Sequence, residues 1–263
     1  MSFNSSLNLD SLVVPVKSAA LYTAQETSLF MSGALIPMIS VPAGSGSAQV
    51  PLLGAVTAQV ISAEGVTDDA TANAIGNTNN NIPLSLHVSR AVLRDLGGIN
   101  PAEVGRVLGN AVAKSFDTTV IAALAGLNAA AGGATTLDDV LDSIATIRAT
   151  GEMGQLNAVL SPEAGMGLIK LIGTAAYAGG DFQTEALRNG YIGKFGGVNF
   201  FMSAYVTGAT AGYVFGADAA RIAVQGSMNI EVQRRAEAVG NDIVASMAAG
   251  VAVVDATRGL KWA

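Results

Sequence analysis

Residues 27–63, TSLFMSGALIPMISVPAGSGSAQVPLLGAVTAQVISA, carry no charged side chain, and as far as Ser89 the only ionised groups are Glu64, Asp68 and Asp69. A membrane helix would be one unbroken apolar run. Here Pro37, Pro42, Gly44, Gly46, Pro51 and Gly54 interrupt, while Ser, Thr, Gln and Asn alternate with Val, Leu and Ile, the pattern of strands joined by turns. Residues 38–41, 49–53 and 56–61 predict one side of a long hairpin, the polar run Asn77-Thr78-Asn79-Asn80-Asn81 its loop, and residues 82–88 the returning strand. A two-stranded ribbon is marginal by itself because it has no face to bury, and its open edges invite pairing. Two readings follow: an irregular, self-contained loop, or an arm that lies on neighbouring subunits.

A long helix comes next. Asn100 is placed to cap it, Pro101 fits the first helical position, where its missing N–H goes unnoticed, and Glu103 completes a capping-box pattern. Val104, Val107, Leu108, Ala111, Val112, Phe116, Val120, Ile121 and Leu124 then recur at helical spacing up to Gly126. About 26 residues at 1.5 Å each give a strut roughly 39 Å long. Gly105 and Gly109, four apart, either bare one face for a close neighbour or are simply tolerated. Upstream, residues 1–35 form a polar tip and a short helix through Pro15, Val16, Ala19, Ala20, Tyr22, Thr23, Glu26 and Phe30, too isolated from a core to be stable alone.

After residues 129–133 the pattern becomes compact α/β. Thr136 caps a helix with Leu137, Val140, Leu141, Ile144 and Ile147, with Asp138 and Asp139 at its positive end and Gly151 at its stop. Residues 156–160 predict a buried strand, and Ser161-Pro162-Glu163 opens a helix bearing Met166, Ile169 and Ile172. Residues 198–206, 213–215, 222–224, 228–233 and 243–254 predict further strands. The second half has enough apolar periodicity for a core of its own; the first half does not.

Composition narrows the function. Of 263 residues, 50% are hydrophobic but only 13% charged, against roughly 25% in ordinary soluble domains, so some surface is expected to be covered by other copies. There is no cysteine and a single histidine, His87, which removes thiol chemistry, His-pair zinc sites and most acid–base triads. A net charge of −6 is opposite to the footprint of a nucleic-acid reader. No signal peptide and no transmembrane helix is predicted. Gly44-Ser45-Gly46-Ser47 lacks the third glycine of a dinucleotide fingerprint, and Gly193-Lys194 is followed by Phe195 where a phosphate loop needs Ser or Thr. Asp138, Asp139 and Asp142 are explained by helix capping, and His87, in an apolar strand, is read as a packed or hydrogen-bonded residue. No catalytic, cofactor or metal site is expected.

The order of arm, uncharged hairpin, long helix and compact α/β region resembles the major capsid protein of tailed bacteriophages, whose fold is named after a Hong Kong lambdoid phage and also forms encapsulin shells. The resemblance rests on Gly46-Ser47-Ala48-Gln49-Val50-Pro51 leading to Val60-Ile61-Ser62-Ala63-Glu64-Gly65, on residues 156–162, and on a closing pattern at 193–204, 217–221, 230–234 and 250–253. It implies an α+β fold: an N-terminal arm (1–35), an extended loop (36–89), a spine helix and the start of a peripheral domain (90–150), an axial domain (151–245) and a C-terminal return (246–263). It implies self-assembly through pentamers and hexamers into an icosahedral shell, assembled in the host cytoplasm and found in the virion. The shell would enclose double-stranded DNA without sequence-specific binding, alongside a portal and a separate scaffolding or decoration protein, with no membrane. Gln49, Val50, Glu64, Asp68, Asp69, Arg90, Arg94, Gly105 and Gly109 are the candidate subunit contacts. An encapsulin-like compartment and, from another class, a soluble α/β enzyme are the alternatives.

Two features depart from some relatives. Residues 36–89 contain no lysine, so no covalent crosslink from this loop is expected, and the shell should dissolve into single-chain bands on denaturing gels. Only a short arm precedes the hairpin, so any scaffold is expected to be a separate protein.

Overall fold

The computed structural model describes residues 7–53, 77–94, 100–134, 136–174, 191–208, 211–235, 237 and 240–262. The predicted strand at 56–61 and the three loop acids Glu64, Asp68 and Asp69 lie outside them.

Helix α1 (Leu7–Thr27) is longer than expected and is not isolated. It lies against helix α2 (Pro101–Leu124), with Val16, Ala20 and Ala24 fully buried at a four-residue spacing. The approach is close because α2 presents glycine there. A Cβ on Gly105 would sit 2.5 Å from the carbonyl oxygen of Val16, and one on Gly109 would sit 2.3 Å from that of Ala20. This corrects the expectation that the two glycines meet another subunit: their partner is the chain's own arm. As predicted, the Asn100 side chain caps α2, accepting the Ala102 N–H at 3.1 Å. Glu103 meets Arg106 at 3.5 Å, one turn on. At 24 residues, α2 is about 36 Å long.

Among the described residues the strands fall into three sheets. The first has the order β1-β10-β11-β4, built from Met38–Ser40, Ala220–Arg235, Gly240–Val253 and Ser85–Arg94. The second, β5-β12-β9-β6-β8-β7, joins Asn128–Ala129, Gly259–Trp262, Gly212–Gly216, Leu156–Leu160, Val198–Met202 and Tyr191–Phe195. The third is the ribbon β2 (Ser47–Leu53) with β3 (Asn77–Pro83). Helix α2 and α1 cover one face of the first sheet in a core that includes Phe30, Ile36, Phe116, Phe215, Ile222 and Ile243. Helices α3 (Leu137–Ala149) and α4 (Pro162–Thr174) pack on the second sheet around Ile147, Leu156, Phe200 and Trp262. Burying a side chain such as Phe30 contributes about 1.5–3 kcal/mol.

Several strand assignments change. The asparagine run is a strand, not a loop: Asn77–Pro83 pairs antiparallel with Ser47–Leu53, and the ladder satisfies backbone groups that a polar loop would leave to water. Residues 38–41 do not belong to the hairpin, because β1 runs parallel to β10. The predicted return strand 82–88 is split at Leu84, whose N–H bonds to Gly46 O at 3.1 Å, and β4 continues along β11. The segments 222–224 and 228–233 are one strand, β10, bent by a bulge between Gln225 and Asn229, with Gly226 at φ 67°. The cuts expected at 89 and 245 therefore fall inside β4 and β11. On α4, Ala164 and Leu168 are buried in the core and the predicted Ile169 packs against it, while the predicted Met166 is exposed and the side chain of Ile172 lies outside those described.

Candidate functional site

The ribbon β2–β3 has one apolar and one polar face. Ser47, Gln49, Pro51, Asn79 and Asn81 are exposed; Ala48 and Ile82 are buried, and Val50 and Asn80, one step outward, are only half-buried. Burial thus fades from root to tip. The root is fixed by local geometry. Gln225 Nε2 donates to Pro42 O at 2.9 Å, Asn80 Nδ2 donates to Val254 O at 3.1 Å, and Gly250 leaves room for the Pro83 carbonyl, which a Cβ would meet at 2.1 Å. Of the two predicted contact residues here, Gln49 is exposed on the ribbon's outer face, while Val50, on the inner face, packs on the root cluster of Val41, Ala48, Ile82 and Ala223.

The outer face of the first sheet is the second surface. Strand β4 alternates strictly: His87 is buried and Ala91 and Leu93 are half-buried toward α2, while Leu86 (67% exposed), Val88 (52%) and Val92 (41%) face outward on an edge strand. Arg90 interrupts that row with a bidentate ion pair to Asp242 of β11; its Nε lies 2.8 Å from both carboxylate oxygens, and its Nη2 also contacts Oδ2. The Arg90 hydrogen bonds hold the Asp242 carboxyl below the ordinary range, more than burial raises it. Arg90 thus has an internal partner but remains half exposed. Arg94 is opposite Gly240, which pairs on its other side with Arg235, so the far end of the sheet gathers arginines on neighbouring strands.

Two buried polar residues fasten this unit together. His87 Nδ1 is 2.9 Å from Ser115 Oγ of α2, its ring stands edge-on to Phe116 at 5.8 Å, and Nε2 closes no hydrogen bond of normal geometry. Burial pushes its pKa down, with the Ala249 backbone pulling partly back. Asp117, which the sequence reading missed, accepts the Ser28 hydroxyl at 2.5 Å and the Leu29 N–H at 3.1 Å, capping the turn that ends α1. Burial pushes its carboxyl up, and these hydrogen bonds offset part of that. Its signal was legible in principle: an acid between Phe116 and Val120 lies on the apolar stripe of α2. A third cluster joins the C-terminus to the second sheet: Arg258 bonds Glu152 at 2.8 Å, Asp218 at 3.3 Å and Asp255 at 3.1 Å.

Among the described residues no three His, Asp or Glu side chains come together as metal ligands, and no helix is long and apolar enough to cross a membrane. A cavity of about 230 Å³ under α1 is lined by Leu21, Met31, Met38, Phe116, Met228 and Met247 among others, without an acid or a base. What the geometry offers is surface: a projecting ribbon, an outward apolar row and an arginine-bearing sheet end.

A sequence model of a phage capsid protein family matches residues 102–262. No curated protein matches by sequence. Among solved structures, the virus-like particle of Pyrococcus furiosus superposes with a TM-score of 0.67 at 11% identity, covering 94% of this chain and 97% of the other. A structure from Mycobacterium phage Che8 gives 0.63 at 19% identity, over 82% and 84% of the two chains. The capsid of Cyanophage P-SCSP1u gives 0.62 at 18% identity, over 89% and 88%. At these identities the superpositions speak for the fold.

Proposed function

The chain belongs to the phage capsid protein family, and on that premise we propose that it is the major building block of the icosahedral shell of a tailed, double-stranded-DNA bacteriophage. The match over residues 102–262 carries this reading, because it spans nearly all of α2, the whole six-stranded sheet and strands β10 and β11 of the four-stranded one. The role is structural and not enzymatic. Its mechanism is burial on assembly: the outer face of the ribbon, with Gln49, and the apolar row of β4 are exposed among the described residues, and neighbouring copies cover them. The six-stranded sheet with α3 and α4 forms the axial part around five- and six-fold centres, and the four-stranded sheet with α2 forms the peripheral part. Glu64, Asp68 and Asp69 of one copy meet the arginine end of another copy's sheet, at Arg90, Arg94 and Arg235. The net charge of −6 suits a wall that encloses DNA without holding it tightly. A portal and a scaffolding or decoration protein complete the particle in the host cytoplasm.

The test is expression of the full chain, with and without the phage's other structural proteins, followed by electron microscopy. Closed shells are expected; a stable monomer under every condition overturns the reading. Reversing the charge of Glu64, Asp68 and Asp69 together should abolish shells while the subunit's unfolding midpoint stays unchanged. Intact shells from that variant would remove the proposed charge pairing. Because the Pyrococcus furiosus particle shares the fold, nucleic acid rather than a protein cargo inside native particles is the result that separates a phage shell from an enzyme-loaded compartment.

A further inference from the structure

The chain's single histidine lies at the root of the projecting ribbon. His87 is three residues beyond Leu84, where the ribbon ends and β4 begins, and it is 4% exposed between β4, α2 and β11. We infer that His87 is an acid-sensitive fastening: protonating its ring loosens the start of β4 from α2 and frees the β2–β3 ribbon to change its angle to the subunit body.

The surroundings supply no counter-charge for an imidazolium. On α2 the facing groups are Ser115, a neutral hydroxyl, and the edge of Phe116. That helix's nearest charges are Lys114, which is exposed, and Asp117, which is committed to Ser28 and Leu29 on the other side. On β11 the opposite residue is Met247, flanked on the same face by Ala245 and Ala249; the strand's one charge, Asp242, is at its far end and bound to Arg90. On β4 itself the charged residues are Arg90 and Arg94, both of the wrong sign to help. Nε2 closes no hydrogen bond of normal geometry, and the pull of the Ala249 backbone on the charged ring is smaller than the cost of burying it. Ser115 is exposed, which gives protons a short way in.

The sign follows from linkage. Burial lowers the folded-state pKa below the unfolded value of about 6.5, so protons favour the open form; the fastening is complete above that pH and weakens as pH falls below it. The consequence is local, because the remaining contacts of β11 with β10 and α2 do not involve His87.

A lone histidine makes the test unambiguous. Hydrogen exchange at the imidazole C2 position, read by mass spectrometry across a pH series on the full chain, should show a midpoint below that of the urea-unfolded chain. Backbone amides of residues 84–91, corrected for intrinsic exchange, should open severalfold faster at about pH 5.5 than at about pH 7.5. His87→Gln keeps a neutral hydrogen-bonding side chain and should make that opening independent of pH in this window. A ring that titrates at or above the unfolded midpoint overturns the inference, and so does an unchanged acid response in the variant. If the variant does not fold, the wild-type ring titration and amide profile decide by themselves.

Discussion

Two antiparallel pairs in this chain solve the same problem in opposite ways. Strands β10 and β11 run together from Ala220 to Val253, with one face pressed on α2 and α1, so Ile222, Met228, Ile230, Ile243 and Ala245 are buried. Strands β2 and β3 have only a small cluster, Val41, Ala48, Ile82 and Ala223, beneath their root. The first pair is held by tertiary packing. The second holds little beyond its own ladder, and a ladder alone is marginal in water. The lesson is that the packed pair fixes the subunit, and that in the proposed shell the ribbon is the part left for a neighbour to finish.

The comparison breaks first at Phe116, which joins α2 to His87 and the sheet. Phe116→Ala should lower the urea-unfolding free energy by about 3–5 kcal/mol; a loss below about 1 kcal/mol would mean that α2 is not what holds β10 and β11. Asp117→Ala comes next. It leaves the Ser28 hydroxyl and the Leu29 N–H buried without an acceptor, so about 2–3 kcal/mol should be lost, with limited proteolysis moving to the α1–α2 junction. Resistance equal to wild type would show that the glycine-lined contact alone keeps the arm docked. The smallest effect is expected on the ribbon. Gln49→Ala should change subunit stability by less than about 0.5 kcal/mol, yet lower the yield of shells. A larger loss of stability would mean that the ribbon is part of the folded subunit after all.

Much of the fold was legible because its signals are local. Asn100, Thr136 and Ser161 each cap the helix that follows, through bonds to N–H groups two or three residues away. The buried strand Leu156–Leu160 reads as a short apolar run and is buried at every position. Exposed Leu86 and Val88 were harder to place, since alternation says that one face is inside without saying which partner covers the other. The arginines were legible as candidates; that Arg90 spends its charge on Asp242, 152 residues away, was not.

The sequence by itself determined where α2, α3 and α4 begin, where charge is missing, and that a nearly neutral segment sits before a long strut, because capping and periodicity act over a few residues. The tertiary structure alone decided that the asparagine run pairs as a strand, that β1 joins β10, and that Gly105 and Gly109 receive the chain's own arm. Those outcomes depend on which distant segments meet, and the energy of such a meeting is a property of the pair, written in neither segment alone.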